Sequence, residues 1–266
     1  MEKRGSREAG TNDASVLSRI VDIVFPGGTN HHGTFFGGAG LSFMNKAAYI
    51  AAARYARVDF VTAACEETDF IHPAHLGDII EARGSVVRVG RKSLTIAVEM
   101  IAEGSLSGVC RTCGAGRFHM VAVDGACADE SWRLSGVSAT SPKLETAMDD
   151  IVFPESLSHH GNLHGGHALA AMARAAFVTS SRYARRTIVL RSCRRSKFDS
   201  KVHSGEIVSL RPRVIDVGRS SMVVAVELFA ETQAGEERRF GGGEFVMVAV
   251  DEHHRPTAIP RAAAVG

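Results

Sequence analysis

Ile23–Arg57 reads IVFPGGTNHHGTFFGGAGLSFMNKAAYIAAARYAR, and Ile151–Arg185 reads IVFPESLSHHGNLHGGHALAAMARAAFVTSSRYAR. The two stretches are offset by 128 residues, from position 23 to position 151, and 17 of their 35 positions are identical. The identities include FP, HHG, GG, the Leu-x-x-Met pair and RYAR. An offset of about half the chain indicates a tandem repeat of two similar domains.

Two differences between the copies concern side chains that can bind a substrate. Asn30 in the first copy is replaced by Ser158 in the second, and Asn45 is replaced by Ala173. The second copy therefore keeps the glycines and the apolar stripe but loses two amides. Divergence after duplication is the simplest explanation, because two sites need not both remain functional.

The composition of the 266 residues is that of an ordinary folded protein, with 45% hydrophobic and 23% charged residues. The formal net charge of +2 is too small to indicate nucleic-acid binding. No apolar run reaches the roughly 20 residues of a membrane-spanning helix, so no membrane partner is expected. The opening MEKRGSREAGTNDAS lacks the apolar core of a secretory signal, so we expect a flexible tail and a cytoplasmic protein.

The cysteine and histidine patterns do not favour a metal site. The five cysteines are an odd number, which argues against a disulfide framework. Cys110 and Cys113 form a C-x-x-C in an expected strand, where this spacing points the side chains to opposite faces. Buried or half-buried thiols are favoured over a metal or redox role for this pair. HHG occurs in both copies, but no zinc-motif spacing accompanies it, so we expect no metal.

Each copy is expected to fold as one helix on a sheet. Leu41, Met44, Ala48, Ala52 and Tyr55 recur at three- and four-residue spacing, which predicts one long amphipathic helix. A short strand precedes the helix and about four β-rich runs follow it. Because the apolar helix face needs a cover, the predicted fold class is α+β, with a five-stranded antiparallel sheet wrapped around a long central helix in each half.

The predicted domain boundaries follow the repeat. A flexible tail occupies residues 1–18, the first domain 19–134, a polar linker 135–146, the second domain 147–256 and a C-terminal tail 257–266. Each half alone would expose a surface meant for its twin, so we expect the halves to pack as a pseudo-two-fold pair.

The order of these features resembles the tandem hotdog-fold acyl-CoA thioesterases. The loop with HHG and GG, the helix with Leu-x-x-Met and the strands with a G-R-x-S hairpin carry the resemblance, over roughly Ile20–Val123 and Met148–Val250. It implies a double hotdog that hydrolyses acyl-CoA thioesters and needs no cofactor beyond the coenzyme A of its substrate. It also implies a homo-oligomer, either a trimer of double hotdogs or a dimer.

In this family the active sites form where two hotdogs meet. The loop Asn of the family corresponds to Asn30, and its acidic helix residue corresponds to Asn45. If the loop of one half meets the helix of the other, Asn30 faces Ala173 and Ser158 faces Asn45. Because neither helix position holds an acid, the alternative function is a catalytically degenerate double hotdog that binds acyl-CoA or serves as a regulatory or assembly subunit.

The glycine pairs are candidates for stabilising the oxyanion of thioester hydrolysis. Gly37 and Gly38 begin one predicted helix, Gly165 and Gly166 begin the other, and unpaired N–H groups collect at helix N-termini. The alternative is that these glycines only permit tight packing. The amide of Asn45 can hold a carbonyl or orient water, but it is not a general base.

A basic stretch in the second half matches an acidic stretch in the first. Arg182–Lys201 carries eight basic residues against one acid, whereas Arg54–Pro73 carries two arginines against four acids. The basic residues either bind the phosphates of coenzyme A or pair with acids of the first half across the seam. In the second case the pairs are Arg194 and Arg195 with Glu66 and Glu67.

The candidate substrate-binding residues lie in the loop, in the two G-R hairpins and in the basic stretch. Arginine suits the phosphate charges of coenzyme A because its planar fork makes two parallel hydrogen bonds. The candidates are His32, Phe36, Arg91, Ser93, Arg194, Arg195, Arg219 and Ser221.

Overall fold

The structure is a computed structural model that describes residues 16–123 and 147–260. In the first half, one strand precedes a helix and four strands follow it. Strand β1 spans Val16–Ile23 and helix α1 spans Gly37–Ala56. The following strands are β2 (Phe60–Phe70), β3 (Ile79–Val89), β4 (Ser93–Glu103) and β5 (Cys110–Ala122).

The second half repeats this order. Strand β6 spans Met148–Ile151 and helix α2 spans Gly165–Ala184, which is 20 residues long like α1. The following strands are β7 (Thr187–Phe198), β8 (Ile207–Val217), β9 (Ser221–Glu231) and β10 (Glu237–Val250).

Both halves form a five-stranded antiparallel sheet with the same strand order. The first sheet runs β1-β3-β4-β5-β2 and the second runs β6-β8-β9-β10-β7. The strand before the helix and the strand after it therefore lie at opposite edges of each sheet. This arrangement confirms the predicted α+β fold of two helix-on-sheet domains.

Helix α1 lies close to its sheet because small residues meet at the contact. Met44, Ala47 and Ile50 are fully buried on the sheet side of the helix. Gly84 of β3 lies directly beneath, and a Cβ there would come within 3.0 Å of the Ala47 carbonyl oxygen. The Ser18 hydroxyl donates to the same carbonyl at 2.7 Å. A larger residue at position 84 would push the helix off the sheet.

The two halves pack along β1 and β6, and each helix touches the first strand of the other half. Lys46 of α1 binds Asp150 of β6 at 2.8 Å, and Arg174 of α2 binds Asp22 of β1 at 3.3 Å. These two ion pairs are equivalent under the 128-residue offset. The seam between the halves therefore has pseudo-two-fold symmetry, as expected.

The repeated RYAR motif holds this seam together at both ends. Its last arginine ends each helix in the left-handed region, with φ of 58° at Arg57 and 48° at Arg185. In each half, the first and last arginines of the motif bind the same carboxylate, which lies at the end of a strand in the other half's sheet. The pairs are Arg54 and Arg57 with Glu231, and Arg182 and Arg185 with Glu103. The identity of the motif in both copies thus has a structural cause.

Glu81 is a buried carboxylate of this seam. It accepts hydrogen bonds from Arg19 at 2.6 Å, Arg83 at 2.6 Å and Arg182 of the other half at 3.2 Å. Burial opposes its ionisation, but the hydrogen bonds and charges of Arg19 and then Arg83 lower the pKa of Glu81 to about 2. Glu81 therefore stays charged where little water reaches it.

The structure differs from the predicted boundaries at both ends of the described residues. Strand β1 begins at Val16, inside the predicted tail of residues 1–18. Ile259 is buried and its N–H is bonded to the second domain, although residues 257–266 were predicted as a tail. The predicted linker, residues 135–146, lies outside the described residues.

The C-x-x-C pair divides between the two faces of β5, as predicted. Cys110 is exposed and Cys113 is buried. Burial raises the pKa of the Cys113 thiol to about 11, which keeps the thiol protonated. Within residues 16–123 and 147–260, no helix is long and apolar enough to cross a membrane, and no three metal-binding side chains cluster.

Candidate functional site

The N-terminus of α1 presents free backbone donors beside an aromatic ring. Phe36 precedes the helix and makes no side-chain cap. The helix ladder begins with the N–H of Gly40, which donates to the Phe36 carbonyl at 3.0 Å, so the N–H groups of Gly37 and Gly38 lie outside it. A Cβ on Gly38 would lie 2.5 Å from the Phe36 ring. This helix end can therefore receive a negatively charged oxygen.

The N-terminus of α2 differs because a histidine caps it. His164 stands at the position of Phe36, and its Nδ1 accepts a hydrogen bond from the Gly166 N–H at 3.1 Å. One of the two donors predicted here is therefore already occupied. A cleft of about 350 Å³ opens beside the same helix end. Its apolar lining consists of Leu163, Gly165, Ala168, Phe198, Val202 and Phe240.

Asn45 is held by a threonine that the helix pattern did not reveal. The Thr62 hydroxyl of β2 donates to the Asn45 Oδ1 at 2.7 Å. The equivalent residues of the second half are Ala173 and Leu190, so both members of the pair are lost together. Extending the comparison of the two copies from the helix into the next strand would have identified Thr62.

Asn45 and Lys46 face opposite sides of the first half. Lys46 reaches across the seam to Asp150, whereas Asn45 is bonded to β2 at the other edge of the sheet. Successive helix positions are about 100° apart, so both cannot face the seam. The structure therefore does not bring Asn45 to Ser158 within one chain, contrary to the expected pairing of loop and helix across this seam.

Asn30 organises its own loop. Its Oδ1 accepts hydrogen bonds from the N–H groups of His32 at 2.9 Å and Thr34 at 3.2 Å, and its Nδ2 donates to the Thr34 hydroxyl at 2.9 Å. Ser158 makes a longer bond of this kind, from the His160 N–H at 3.3 Å. Asn30 therefore positions the HHG loop beside the start of α1, and a direct role on substrate stays a prediction.

The two G-R hairpins lie at the far end of their sheets from the helix N-termini. Strand β4 begins at Ser93 and seven residues later reaches Met100, which lies 3.4 Å from where a side chain on Gly40 would begin. Seven residues of strand span about 23 Å. The structure therefore does not bring four of the substrate-binding candidates to the helix start of their own half: Arg91, Ser93, Arg219 and Ser221.

Arg194 and Arg195 of β7 do not pair with Glu66 of β2 inside one chain. Arg195 is 82% exposed and lies 3.4 Å from Glu244, while Glu66 pairs with His119 at 2.9 Å. The intrachain pairing of Arg194 and Arg195 with Glu66 is therefore wrong, because the seam runs along the opposite edges of both sheets. Strand β7 ends at the α2 cleft, where its arginines can meet a phosphate of bound coenzyme A. Phosphate binding by these arginines stays a prediction.

Comparison with known proteins gives the same family in both halves. A family model described as the thioesterase superfamily matches residues 32–109 and again residues 160–236. The crystal structure of an acyl-CoA hydrolase from Agrobacterium tumefaciens is 43% identical with a TM-score of 0.78, over 91% of this chain and 97% of that one.

Two curated relatives match this chain at lower identity, and one of them matches less than half of it. An uncharacterized acyl-CoA thioester hydrolase of Bacillus subtilis is 35% identical over 40% of this chain, which spans 63% of that protein's length. The cytosolic acyl coenzyme A thioester hydrolase of Rattus norvegicus is 19% identical over 90% of this chain and 76% of its own.

The two matches to the family model fall one in each half of the repeat and together cover more than half of the chain. Each matched segment contains the helix start with its glycine pair. The chain therefore belongs to the thioesterase superfamily.

Proposed function

We propose that the protein hydrolyses acyl-CoA thioesters. The observation that carries this proposal is the open N-terminus of α1, where the N–H groups of Gly37 and Gly38 lie beside the Phe36 ring. The carbonyl oxygen of a thioester becomes negative when water adds to the carbon, and fixed N–H donors stabilise that charge. The new C–O bond then replaces the C–S bond, and the departing thiolate takes up a proton to give coenzyme A and a carboxylic acid.

The pair of Asn45 and Thr62 is proposed to orient the attacking water. An amide and a hydroxyl can hold water by hydrogen bonds, but neither accepts its proton at neutral pH. Loss of a positioned base typically lowers a rate by about 10² to 10⁴. The proposed reaction is therefore slower than that of an enzyme with a carboxylate at this helix position.

The α2 cleft is proposed to bind part of the acyl-CoA. Its lining is largely apolar, and its volume of about 350 Å³ lies within the range of ligand pockets. Lys201 lies at its rim, and Arg194 and Arg195 precede it on β7, where they can meet phosphates. We propose no cofactor beyond the coenzyme A of the substrate, and a cytoplasmic location, which the name of the rat relative supports.

Matched substitutions at the helix starts test the proposal. Gly37→Pro removes one N–H donor, and Pro is tolerated at the first helical position after an extended residue such as Phe36. Gly37→Ala keeps the donor, and its Cβ would meet the Phe70 ring at an ordinary 3.6 Å. We expect Gly37→Pro to lower thiol release by about 10² or more and Gly37→Ala to change it only a few-fold.

The assay follows free thiol over short, medium and long acyl-CoA substrates. Gly165→Pro and Gly165→Ala form the same pair in the second half and show which helix end is used. Thiol release that is equal for the proline and alanine variants at both positions would exclude these helix ends as the oxyanion site.

A second function is favoured by a separate observation. The second half has Ala173 and Leu190 in place of the Asn45 and Thr62 pair, and His164 occupies one of its helix donors. This half therefore fits a site that binds acyl-CoA without hydrolysing it. Calorimetric binding of coenzyme A together with no thiol release from any acyl-CoA would favour the binding function for the whole chain.

A further inference from the structure

Phe70, at the end of β2, lies over the start of α1 in a niche that three glycines leave free. Side chains on Gly37, Gly40 and Gly114 would begin 3.6, 2.9 and 3.6 Å from the Phe70 ring. The end of the fully buried Met100 side chain comes within 3.4 Å of the same point on Gly40. A Cβ essentially never lies within 3.0 Å of such an atom, so the ring could not keep this position if residue 40 carried a methyl group.

The equivalent place in the second half has a methyl group and an open cleft. Phe198 stands at the position of Phe70, and Ala168 stands at that of Gly40. Both residues line the cleft of about 350 Å³ beside the start of α2. Because Ala168 has a Cβ, the Phe198 ring cannot rest on its helix as the Phe70 ring does. The scaffold therefore has a cleft where the helix residue is alanine and a seated ring where it is glycine.

The acyl group is the part of the substrate that meets Phe70. The Phe36 ring lies beside Gly38, and the Phe70 ring lies beside Gly37. A carbonyl oxygen that accepts from the N–H groups of both glycines therefore lies between the two rings. The phosphates of coenzyme A must stay in water, so the arm with the sulfur leads outwards. The acyl chain then leads inwards, towards Phe70 and the buried Gly40.

We propose that Phe70, seated on Gly40, restricts hydrolysis at the start of α1 to short acyl groups such as acetyl and butyryl. The reaction itself rests on the proposed function, and the new element is the class of acyl group. Each methylene that enters an apolar space gains about fourfold in binding. A longer chain gains nothing here, because the ring and Met100 behind it already fill the space.

Removal of the ring tests this assignment. We measure kcat/KM for thiol release from acetyl-, butyryl-, octanoyl- and dodecanoyl-coenzyme A. For the wild type we expect a fall of about tenfold or more from the butyryl to the dodecanoyl substrate. Phe70→Ala should raise the dodecanoyl value by about tenfold or more and change the acetyl value only a few-fold. Phe70→Leu, which keeps an apolar side chain at this position, should give an intermediate profile.

Phe25→Ala is the matched control. Phe25 is 50% exposed, against 48% for Phe70, and it follows β1 at the opposite edge of the same sheet. This variant should keep the wild-type order of substrates. A change in Phe70→Ala that is equal for all acyl groups would place the ring beside the arm that all substrates share and would overturn the proposal. A wild type that prefers dodecanoyl-coenzyme A would also overturn it.

Binding of S-alkyl coenzyme A thioethers separates this proposal from the proposed function, because these compounds have no carbonyl to hydrolyse. In calorimetry, Phe70→Ala should bind S-dodecyl-coenzyme A about tenfold more tightly than the wild type and S-ethyl-coenzyme A equally. The α2 cleft is lined by second-half residues, so its binding contributes to both chains alike.

The two measurements fail in different ways. A wild type that releases no thiol, together with the gain in S-dodecyl binding, removes the hydrolase and leaves the assignment of Phe70 standing. Thiol release with the same chain-length profile and the same thioether binding in the wild type and Phe70→Ala keeps the hydrolase and overturns the assignment of Phe70.

Discussion

Thr62 and Asn45 show how single residues of a repeat diverge together. The hydroxyl of Thr62 has a partner because Asn45 offers an oxygen at 2.7 Å. Where the helix position is Ala173, the strand position is Leu190, so the second half has neither the acceptor nor the donor of this hydrogen bond. The coupled change leaves the second half without either polar group at this position, whereas the first half keeps both.

A carboxylate at position 45 should therefore raise turnover. Asn45→Asp keeps the shape of the side chain and the hydrogen bond from Thr62, and it adds a proton acceptor beside the water. We expect thiol release to increase about tenfold or more. Thr62→Val in the Asn45→Asp background is the control and should remove part of the gain. Unchanged or lower turnover with an intact circular dichroism spectrum would contradict this role.

For single residues, the sequence predicted where the site candidates lie more reliably than what each of them does. The glycine pairs were found because they recur at the helix starts, and the structure places them there. The difference between the two helix ends was not predictable from GG alone, since it depends on the residue before the pair. Phe36 leaves the donors free, whereas His164 takes one of them.

At the scale of elements, helix α1 makes a different contact on each of its two flanks. The side of α1 with Lys46 meets β6, and the side with Asn45 meets β2. The apolar spacing correctly predicted Met44, Ala48 and Ala52 as buried positions, but Leu41 is exposed and Tyr55 is only half-buried. It could not predict which flank meets the other half, since both flanks are polar. One of the two interpretations of the acid and arginine stretches placed them at the seam, but the seam lies along β1 and β6.

The carboxylate of Glu81 makes this seam sensitive to acid. Its pKa is about 2 in the folded protein, against an ordinary value of 4.5, so the unfolded chain takes up this proton first as the pH falls. The stabilisation is complete above about pH 4.5 and is lost on the way down to about pH 2, by on the order of 3 kcal/mol. Denaturant unfolding of the wild type and Glu81→Gln, measured at several pH values, should give curves that converge in this window. Parallel curves from pH 5 to pH 2 would exclude Glu81 as the cause.

At the scale of the whole molecule, the two halves are alike in fold and complementary at the seam. Arg19 and Glu81 occur in the first half, where the second half has Ala147 and Ser209 at the equivalent positions. Asp149 occurs in the second half, where the first has Val21, and it binds Arg54 at 2.5 Å. Across the seam, Arg54 therefore finds Asp149 in the second half, whereas its equivalent Arg182 finds Glu81 in the first half. The repeat predicted the pairing of halves, but these partners emerge only from the three-dimensional packing.

These contacts across the seam predict that neither half is stable as a monomer. Residues 16–123 alone would leave Arg54 without Asp149 and Glu231, and removing one partner of a buried ion pair costs about 3 to 5 kcal/mol. That cost is a large part of the stability of a domain of this size. Light scattering and thermal melts of residues 16–123, of residues 147–260 and of their mixture provide the measurement. We expect the separate halves to aggregate or self-associate with broad, low melts, and the mixture to form a one-to-one complex with a sharper and higher melt. A soluble, cooperatively melting monomer of residues 16–123 would show that the seam is not required for folding.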